Sequence, residues 1–362
     1  MAITHEAIVT ALSNLRGPAG EALAVAPEIV VKGDRVLVSL SVAEGNASAW
    51  ETVRARTEAL LAGLPGVALA LVSLTSERAA SPASPSLPKP TSTPRPKPSE
   101  VAPPPRFPNL RQVKRIVAVA SGKGGVGKST TACNLALALR ARGLIVGVLD
   151  ADIYGPSMPK LFNIKGRPTI VEGRTLSPLD AYGCKVMSIG FVVDVDKALV
   201  WRGPMVASAL TQMLRDIAWG ALDILIVDMP PGTGDAQLTL AQSAPLSGAI
   251  IVSTPQDLAL IDARRGVDMF RSVGVPILGL VENMSYFVCD DCGKRHHIFG
   301  HGGARVEAAK LAVPFLGEVP LDVAIRERAD SGLPIVVTEP DSPQAAAYGA
   351  IAAAVADGLK LG

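Results

Sequence analysis

Apolar and polar positions divide the chain into a short first part and a longer second part. In residues 1–80, an apolar stretch with helical spacing precedes two runs typical of strands. These runs flank a Lys32-Gly33-Asp34 turn, and a helical stretch over 48–64 and a last apolar run follow. This order predicts a small αββαβ domain over residues 1–80.

In the longer part, continuous apolar runs alternate with helical patterns. The runs are RIVAVAS, LIVGVLD, DILIVD, GAIIVST and PILGLVEN, and the helical patterns cover 129–142, 207–219 and 257–273. Uninterrupted apolar runs are typical of parallel strands that helices bury on both faces. Residues 111–362 are therefore predicted to form an α/β domain with a doubly wound, mostly parallel sheet.

Proline dominates the stretch between the two parts. Residues 82–108 contain eleven prolines. Proline at this density disfavours helices and sheet ladders and favours extended polyproline II. We predict a Pro-rich flexible linker over 81–110, and we favour a spacer over a polyproline ligand for a partner.

Composition and charge narrow the classes of function. The 362-residue chain is 48% hydrophobic but only 4% aromatic, so aliphatic side chains must fill its cores. Its net charge is +2, with −2 in residues 1–80, +3 in 81–110 and +1 in 111–362. Nucleic-acid binding needs a concentrated basic surface. Since no part of the chain is strongly charged, we expect no nucleic-acid partner. Because neither a signal-peptide pattern nor an apolar stretch of about 20 residues is found, we expect a cytoplasmic protein that does not bind membranes.

A glycine-rich motif directly follows the first apolar run of the longer part. It matches G-x-x-x-x-G-K-[ST] between a strand and a helix, and its residues are Gly122, Lys123, Gly124, Gly125, Val126, Gly127, Lys128, Ser129 and Thr130. Glycines let backbone N–H groups converge on phosphate oxygens, and the helix N-terminus adds a positive dipole. We predict an ATP-binding P-loop NTPase in which Lys128 contacts the β and γ phosphates and Ser129 binds Mg²⁺.

Three aspartates follow the ends of apolar runs. Asp228 ends DILIVD, where Mg²⁺ and its waters need a negative neighbour, and the loop 229–235 after it is a candidate sensor of the γ-phosphate. Asp150 and Asp152 end LIVGVLD at alternate positions and should point to opposite sides of an extended chain. We expect one to orient the attacking water and the other to serve the Mg²⁺ shell. The alternative is a helix cap and a solvated side chain.

Lys123 is a second lysine in the P-loop. It adds a cation near the phosphates, as an arginine finger does in other enzymes. A lysine here resembles the deviant Walker A group, which includes MinD, ParA and the nitrogenase iron protein. In that group the lysine contacts nucleotide bound by the opposite subunit, so the resemblance implies an ATP-sandwiched homodimer. A merely solvated Lys123 is the alternative.

The four cysteines are too few for a disulfide framework in a chain of this length. Cys133 and Cys184 are interpreted as buried filling residues. Cys289 and Cys292 form a C-x-x-C pair, which presents two thiolates to one metal centre.

Two thiolates do not complete a metal site, since zinc and a 4Fe–4S cluster each need about four ligands. His296 and His297 would complete a zinc site within one chain. Two chains that meet at a two-fold axis would instead supply four thiolates to one cluster. A dithiol redox pair is a third interpretation. The bridging cluster is favoured because Lys123 already indicates a dimer.

The motifs in their order resemble one family. KGGVGKST, DADIYGPS, WRGP at 201–204, DMPPGTGD, VENMS and the C-x-x-C pair are similar to the Mrp/ApbC family of iron–sulfur cluster carrier ATPases, over about 111–340. The resemblance implies a homodimer that holds a labile 4Fe–4S cluster through Cys289 and Cys292. It implies ATP-linked transfer to apo iron–sulfur proteins, with cluster scaffold proteins as further partners. It also implies that Asn283 contacts the adenine and that Asp152 contacts the hydrolytic water.

Residues 1–80 resemble the small metal–sulfur assembly domain often fused in front of bacterial members. Free-standing relatives of that domain commonly carry a cysteine near the second helix, whereas residues 1–80 contain none. We therefore expect this domain to recognise a partner or to dock on the ATPase domain rather than to bind metal.

Three other functions are weighed against the carrier. A MinD- or ParA-type positioning ATPase would show a basic amphipathic C-terminus or a basic face for DNA. An electron-transfer reductase like the nitrogenase iron protein would ligate its cluster through widely spaced single cysteines. A zinc-stabilised ATP-binding scaffold would contain zinc and no sulfide.

Overall fold

The chain divides into two units, Met1–Arg106 and Phe107–Gly362. The computed structural model describes residues 5–13, 15–16, 28–32, 35–43, 47–67, 69–77, 107–192 and 203–361. Residues 81–106 of the predicted linker, the Gly33-Asp34 turn and two residues of the WRGP motif lie outside the described residues.

The predicted linker extends too far at its C-terminal end. Phe107 and Leu110 are buried in the core of the second unit, and Pro108–Leu110 forms one turn of 3₁₀ helix. These two apolar side chains find partners in that core, so residues 107–110 belong to the second unit.

The first unit contains two helices and a three-stranded sheet. Its elements are α1 (His5–Ser13), β1 (Glu28–Lys32), β2 (Arg35–Ala43), α2 (Ala47–Ala62) and β3 (Leu69–Glu77). The strand order is β1-β2-β3, with β1 antiparallel and β3 parallel to β2. Alternate residues of β2, including Val36 and Val38, pack with Ile8, Leu61 and Val72 in one core. The order of elements agrees with the predicted αββαβ domain.

The second unit alternates strands and helices. Its strands are β4 (Val113–Ala120), β5 (Val146–Asp150), β6 (Ile170–Glu172), β7 (Thr175–Leu176), β8 (Leu179–Ala181), β9 (Cys184–Ser188), β10 (Leu222–Asp228), β11 (Gly248–Ser253), β12 (Ile277–Glu282), β13 (Phe287–Val288), β14 (Arg295–His296) and β15 (Phe315–Glu318). Its helices are α3 (Lys128–Ala141), α4 (Met158–Leu161), α5 (Gly203–Arg215), α6 (Asp235–Ser243), α7 (Asp257–Ser272), α8 (Gly303–Lys310), α9 (Val323–Ser331), α10 (Ile335–Thr338) and α11 (Pro343–Leu359).

The main sheet of this unit has eight strands in the order β15-β12-β11-β4-β10-β5-β9-β8. All neighbouring pairs are parallel except β8 and β9, which are antiparallel. Strand β10 pairs Asp228 with Asp150 of β5 on one side and with Val119 of β4 on the other. Because parallel strands end at a common edge, both aspartates lie where β4 enters the glycine-rich loop. The predicted α/β class with a doubly wound, mostly parallel sheet is confirmed.

The helix predicted over 207–219 ends earlier than expected. Helix α5 ends at Arg215, because the next backbone groups pair with Leu176. The Leu176 N–H donates to the Asp216 carbonyl and the Ala218 N–H donates to the Leu176 carbonyl, both at 2.8 Å. The helical pattern in the sequence continued to Trp219 because this residue is apolar. Trp219 is completely buried in the main core, but it lies beyond the end of the helix.

The Ala-rich helix α11 packs on the main core through buried residues that include Tyr348, Ile351 and Val355. Across the residues that the structure describes, no helix combines the length and the apolar character that crossing a membrane requires. The cytoplasmic location stays a prediction.

Candidate functional site

The glycine-rich loop joins β4 to α3 and leaves no room for side chains at two positions. Gly127 has a φ of 81°, and a Cβ atom there would lie 2.1 Å from Asn283 Nδ2. A Cβ atom on Gly122 would lie 2.2 Å from the carbonyl of Asp262 in α7. Glycine is therefore required at both positions, for backbone conformation at one and for close packing at both.

Lys128 connects the loop to the aspartates of the neighbouring strands. Its side chain is only 6% exposed, and its ammonium Nζ lies 2.6 Å from Asp228 Oδ1 and 4.0 Å from Asp152 Oδ2. It also donates a hydrogen bond to Ser129 Oγ at 3.1 Å. The structure thus brings together three residues predicted to bind ATP and Mg²⁺, Lys128, Ser129 and Asp228, with Asp152, which was predicted to contact the hydrolytic water.

Asp150 organises the loop that carries Asp152. Its carboxylate is fully buried, and Oδ2 accepts hydrogen bonds from the N–H groups of Ser157 and Met158, each at 3.0 Å, and from Ser188 Oγ at 2.9 Å. Oδ1 accepts one from the Asp152 N–H at 3.2 Å. Ser188 was not found from the sequence, because only the pairing of β5 with β9 places it opposite Asp150. The Mg²⁺ role of Asp150 stays a prediction beside this loop-positioning role.

Burial dominates the electrostatics of the three aspartates. It raises the pKa of Asp150 to about 7, and the charge of Asp228 acts in the same direction. Burial also raises the pKa of Asp228 and of Asp152, while the Lys128 ammonium opposes both shifts. Two of these carboxylates, those of Asp228 and Asp152, lie within 4.0 Å of the one buried ammonium of Lys128, so the ionised site has an excess of negative charge.

This arrangement fits a divalent cation. Asp228 Oδ2 is buried and, within the described part of the chain, has no hydrogen-bond partner. A buried carboxylate oxygen without a partner is costly unless a ligand satisfies it. Mg²⁺ prefers oxygen ligands and would neutralise part of the excess charge, with Asp228 and Ser129 as the residues placed to hold it.

Asp150→Asn is expected to change how stability depends on pH. The pKa of Asp150 is raised from 3.8 to about 7 in the folded protein, so between these values the folded state keeps a proton that the unfolded chain has released. The stability that Asp150 contributes through this proton is fully present below pH 3.8 and is lost as pH rises towards about 7. Asparagine cannot ionise, so the variant should gain stability relative to wild type as pH rises from about 5 to 7, by up to about 1.4 kcal/mol per pH unit.

Urea unfolding at several pH values tests this expectation. Asp180→Asn, at an exposed position of β8, is the matched control and should keep the wild-type pH dependence. Parallel stability curves for wild type and Asp150→Asn would contradict the proposed proton uptake.

Asn283 follows β12 and contacts the glycine-rich loop directly. Its side chain is buried, and Nδ2 donates a hydrogen bond to the Val126 carbonyl at 2.8 Å. Its backbone N–H donates to the Ser253 carbonyl, also at 2.8 Å. The structure therefore gives Asn283 a role in holding the loop, and the adenine contact stays a prediction.

The remaining loop residues form the rim of the site. Lys123 is half-buried, and its carbonyl accepts a hydrogen bond from Ser121 Oγ at 2.9 Å. Gly124 and Gly125 are exposed, and Thr130 lies in the first turn of α3. The predicted sensor loop 229–235 contacts the same loop, since the Gly232 N–H donates to the Ser121 carbonyl at 2.9 Å. The role of Lys123 across a dimer stays a prediction.

Cys289 and Cys292 lie at the tip of a short hairpin, residues 287–296, which we call the cysteine hairpin. Strands β13 and β14 pair antiparallel, the Cys289 N–H donates to the Lys294 carbonyl at 3.0 Å, and the Gly293 N–H donates back to the Cys289 carbonyl at 2.8 Å. Cys289 is half-buried and Cys292 is exposed. Backbone N–H groups of Cys292 and Asp291 lower the pKa of the Cys289 thiol. The hairpin thus favours the thiolate that binds metals.

The other two cysteines are buried, as predicted. Burial raises the pKa of Cys133 well above its usual value, and it raises the pKa of Cys184 to about 12. Both side chains belong to the main core. They are therefore protonated at neutral pH and unsuited to bind a metal.

The histidines near the cysteine hairpin do not join the two thiols. The ring of His296 lies near Phe287, with centroids 6.5 Å apart, and the ring of His297 lies 4.1 Å from that of His301. Among the described residues, which include both cysteines and both predicted histidines, no three metal-binding side chains converge. The zinc site within one chain is not assembled in this conformation.

The fold and the site define a class of protein. A parallel strand leads through a phosphate-binding loop into a helix, and carboxylates from two adjacent strands face the loop lysine. These are the parts of a P-loop NTPase.

Comparison with known proteins gives the family. Residues 112–356 match the family model described as ParA, NUBPL iron-transfer P-loop NTPase. The chain belongs to this family. It is 56% identical over 252 residues to the iron-sulfur protein required for NADH dehydrogenase, mitochondrial, of Arabidopsis thaliana, covering 69% of this chain and 80% of that protein. It is 53% identical over 256 residues to the iron-sulfur cluster carrier protein of Pseudomonas fragi, covering 70% and 89%. The resemblance predicted from the motifs is confirmed.

One solved structure is similar to the second unit of this chain in sequence and fold. The nucleotide-binding protein of Archaeoglobus fulgidus, in complex with ADP, is 40% identical to this chain with a TM-score of 0.58. The match covers 66% of this chain and 92% of that protein.

Proposed function

We propose that this protein binds and hydrolyses ATP, carries a labile 4Fe–4S cluster bridged between two subunits, and transfers it to apo iron–sulfur proteins. The observation that carries the proposal is the cysteine hairpin. Each chain presents two thiols at an exposed tip, and no further metal-binding side chain of the described residues converges on them. Four thiolates around one cluster therefore require a second copy of the chain.

The accessible tip suits delivery. Cys292 is exposed and Cys289 is half-buried, so a cluster between two such hairpins stays open to a recipient protein. Ligand exchange onto thiols of the recipient then needs no unfolding of the carrier. Apo iron–sulfur proteins are the proposed recipients, and cluster scaffold proteins are the proposed donors. The names of the relatives, a cluster carrier and an iron-sulfur protein required for an NADH dehydrogenase, support transfer from this protein to apo-proteins.

The nucleotide half of the proposal uses the residues around Lys128. An ATP phosphate that reaches Lys128 Nζ must compete with Asp228, which now lies 2.6 Å away. The carboxylate released in this way is free to serve Mg²⁺, which supplies charge neutralisation at the β and γ phosphates. Asp152, 4.0 Å from Lys128 Nζ, orients the water that attacks the γ-phosphorus. As the water oxygen bonds to the γ-phosphorus, the bond from that phosphorus to the β–γ bridging oxygen breaks, ADP and inorganic phosphate leave, and the proton of the water passes to the phosphate or to solvent. Lys123 of each subunit stabilises charge on the nucleotide held by the other.

Anaerobic reconstitution with iron and sulfide tests the proposal. We expect about four iron and four sulfide per two chains, in a particle with the mass of a dimer. We also expect ATP with Mg²⁺ to change the rate at which this cluster is passed to an apo-ferredoxin. Iron and sulfide analysis, native mass spectrometry and the recipient's absorbance measure the three quantities.

Three outcomes distinguish the alternatives. Zinc without sulfide in the anaerobically purified protein would support the zinc-stabilised scaffold. A monomer that keeps a full cluster would contradict the bridging arrangement. ATPase activity stimulated by DNA or by lipid vesicles, with no cluster bound, would support a positioning ATPase of the MinD or ParA type.

A further inference from the structure

A buried glutamate at the end of β12 lies between the nucleotide loop and the cysteine hairpin. Glu282 is fully buried. Its Oε1 accepts hydrogen bonds from Ser285 Oγ at 2.6 Å and from the Gly302 N–H at 3.2 Å, and its Oε2 accepts one from the Ala304 N–H at 2.6 Å. Glu282 lies in the VENMS motif, where no role was predicted for it.

The three donors lie on both sides of the cysteine hairpin along the chain. Ser285 precedes residues 286–301, and Gly302 and Ala304 follow them, so the Glu282 carboxylate closes the base of the segment that carries both thiols. Ala304 lies in the first turn of α8, where the helix dipole favours a negative charge. A buried carboxylate that lost these donors would be strongly destabilised. The Glu282 carboxylate therefore ties the two ends of the segment to the end of β12.

The next residue along the chain contacts the nucleotide loop. Asn283 Nδ2 donates to the Val126 carbonyl at 2.8 Å, one residue before Gly127 and two before Lys128. The Val126 carbonyl is thus connected to Glu282 through only the Asn283 side chain and one peptide bond. Strand β12, which ends in Glu282 and leads directly into Asn283, is paired on both sides, with β11 and β15.

A bound nucleotide would add a second negatively charged partner for Lys128. Lys128 Nζ is paired with Asp228 at 2.6 Å, and a phosphate bound by this ammonium would compete with that carboxylate. Coupling to the hairpin requires that nucleotide shift residues 126–128 from the arrangement that the structure shows.

We propose that Glu282 positions the cysteine hairpin and, together with Asn283, makes the accessibility of Cys289 and Cys292 depend on the nucleotide bound at the P-loop. This inference rests on the proposed function for its two sites and names the residues that regulate one by the other. It requires a thermodynamic coupling between nucleotide and thiols, which must be reciprocal.

The test uses the full-length protein without a cluster, so that it does not depend on cluster assembly. In the wild type, ATP with Mg²⁺ should change the alkylation rate of Cys289 and Cys292 by about fivefold or more, the lower end of typical allosteric couplings. In Glu282→Gln the change should fall below about twofold, because an amide cannot accept all three hydrogen bonds. Peptide mass spectrometry measures each cysteine, and slow labelling of the buried Cys133 and Cys184 reports that the domain is folded.

Glu318→Gln is the matched control. Glu318 lies beside Glu282 in the β12–β15 pairing, but its carboxylate accepts from the exposed Arg305 at 3.2 Å. This variant should respond to ATP as the wild type does. If Glu282→Gln does not fold, Ser285→Ala removes one donor alone and should give an intermediate response.

Two results would overturn the inference. One is a wild-type alkylation rate that nucleotide does not change, and the other is a full response in Glu282→Gln, or in Ser285→Ala where only that variant folds. A wild-type nucleotide response that Glu282→Gln loses, with no cluster formed on reconstitution, would instead contradict the proposed function and leave the coupling supported.

Discussion

Lys128→Ala is expected to lower ATP turnover at least about a thousandfold, to the level of the assay background, while the domain stays folded. The ammonium is the only buried cation described near the three aspartates, and it lies 2.6 Å from Asp228 and 4.0 Å from Asp152. Its loss removes the positive charge that stabilises the phosphates during hydrolysis. It also leaves Asp228 and Asp152 without their ammonium partner. Phosphate release at saturating ATP and Mg²⁺ measures the effect.

The fold should survive this substitution because the aspartates can take up protons. Burial already raises the pKa of Asp228 and Asp152, and Lys128 opposes that shift in the wild type. Without the lysine the pKa of both carboxyl groups should rise further, so that protonation relieves what would otherwise be unpaired buried charges. Circular dichroism checks the fold. Lys160→Ala, which removes an exposed lysine paired with Asp330, is the control and should turn over ATP normally. Turnover like that of the wild type in Lys128→Ala would remove its assigned role.

Cys289→Ser and Cys292→Ser are each expected to lose the reconstituted cluster. One substitution per chain removes two of the four thiolates of a bridged site, and a serine hydroxyl at neutral pH does not replace a thiolate. Bound iron and sulfide should fall at least about tenfold, which is the lower end of the loss typical even for residues that only support a metal ligand. Iron and sulfide analysis and the cluster absorbance measure this loss.

ATP binding should be retained in both cysteine variants, since the hairpin is distinct from the phosphate-binding loop in the chain. Cys184→Ala is the control, because Cys184 is buried in the main core and should not affect the cluster. Full iron and sulfide content in either hairpin variant would end the assignment of that cysteine as a ligand.

Much of the nucleotide site was predictable because it depends on local sequence. The apolar runs that form β4, β5 and β10 end in the glycine-rich loop, in Asp150 and in Asp228. Parallel strands end at one edge of a sheet, so recognising the strands already places these residues together. The C-x-x-C spacing likewise predicted two neighbouring thiols, which the cysteine hairpin presents at its tip.

Other features could not be predicted, because they depend on which distant segments meet. Ser188 contacts Asp150 only through the pairing of β9 with β5, and β9 is a short strand without a clear apolar pattern. Phe107 was assigned to the linker from its proline-rich neighbours, but it finds a place in the core. A sequence signal did exist for Glu282, since a charged residue ends the apolar strand ILGLVE, but the pattern does not reveal its three donors.

The amino-acid order alone was sufficient to predict the class of fold, the phosphate-binding loop, the family resemblance and the two thiols of the cysteine hairpin. Each of these depends on residues that are neighbours along the chain. The packed chain decided how Asp150 holds the loop of Asp152, how Asn283 holds the glycine-rich loop and how Glu282 closes the base of the cysteine hairpin. The reason is that buried polar groups must find partners wherever the fold brings donors within reach, and those partners lie far apart in sequence.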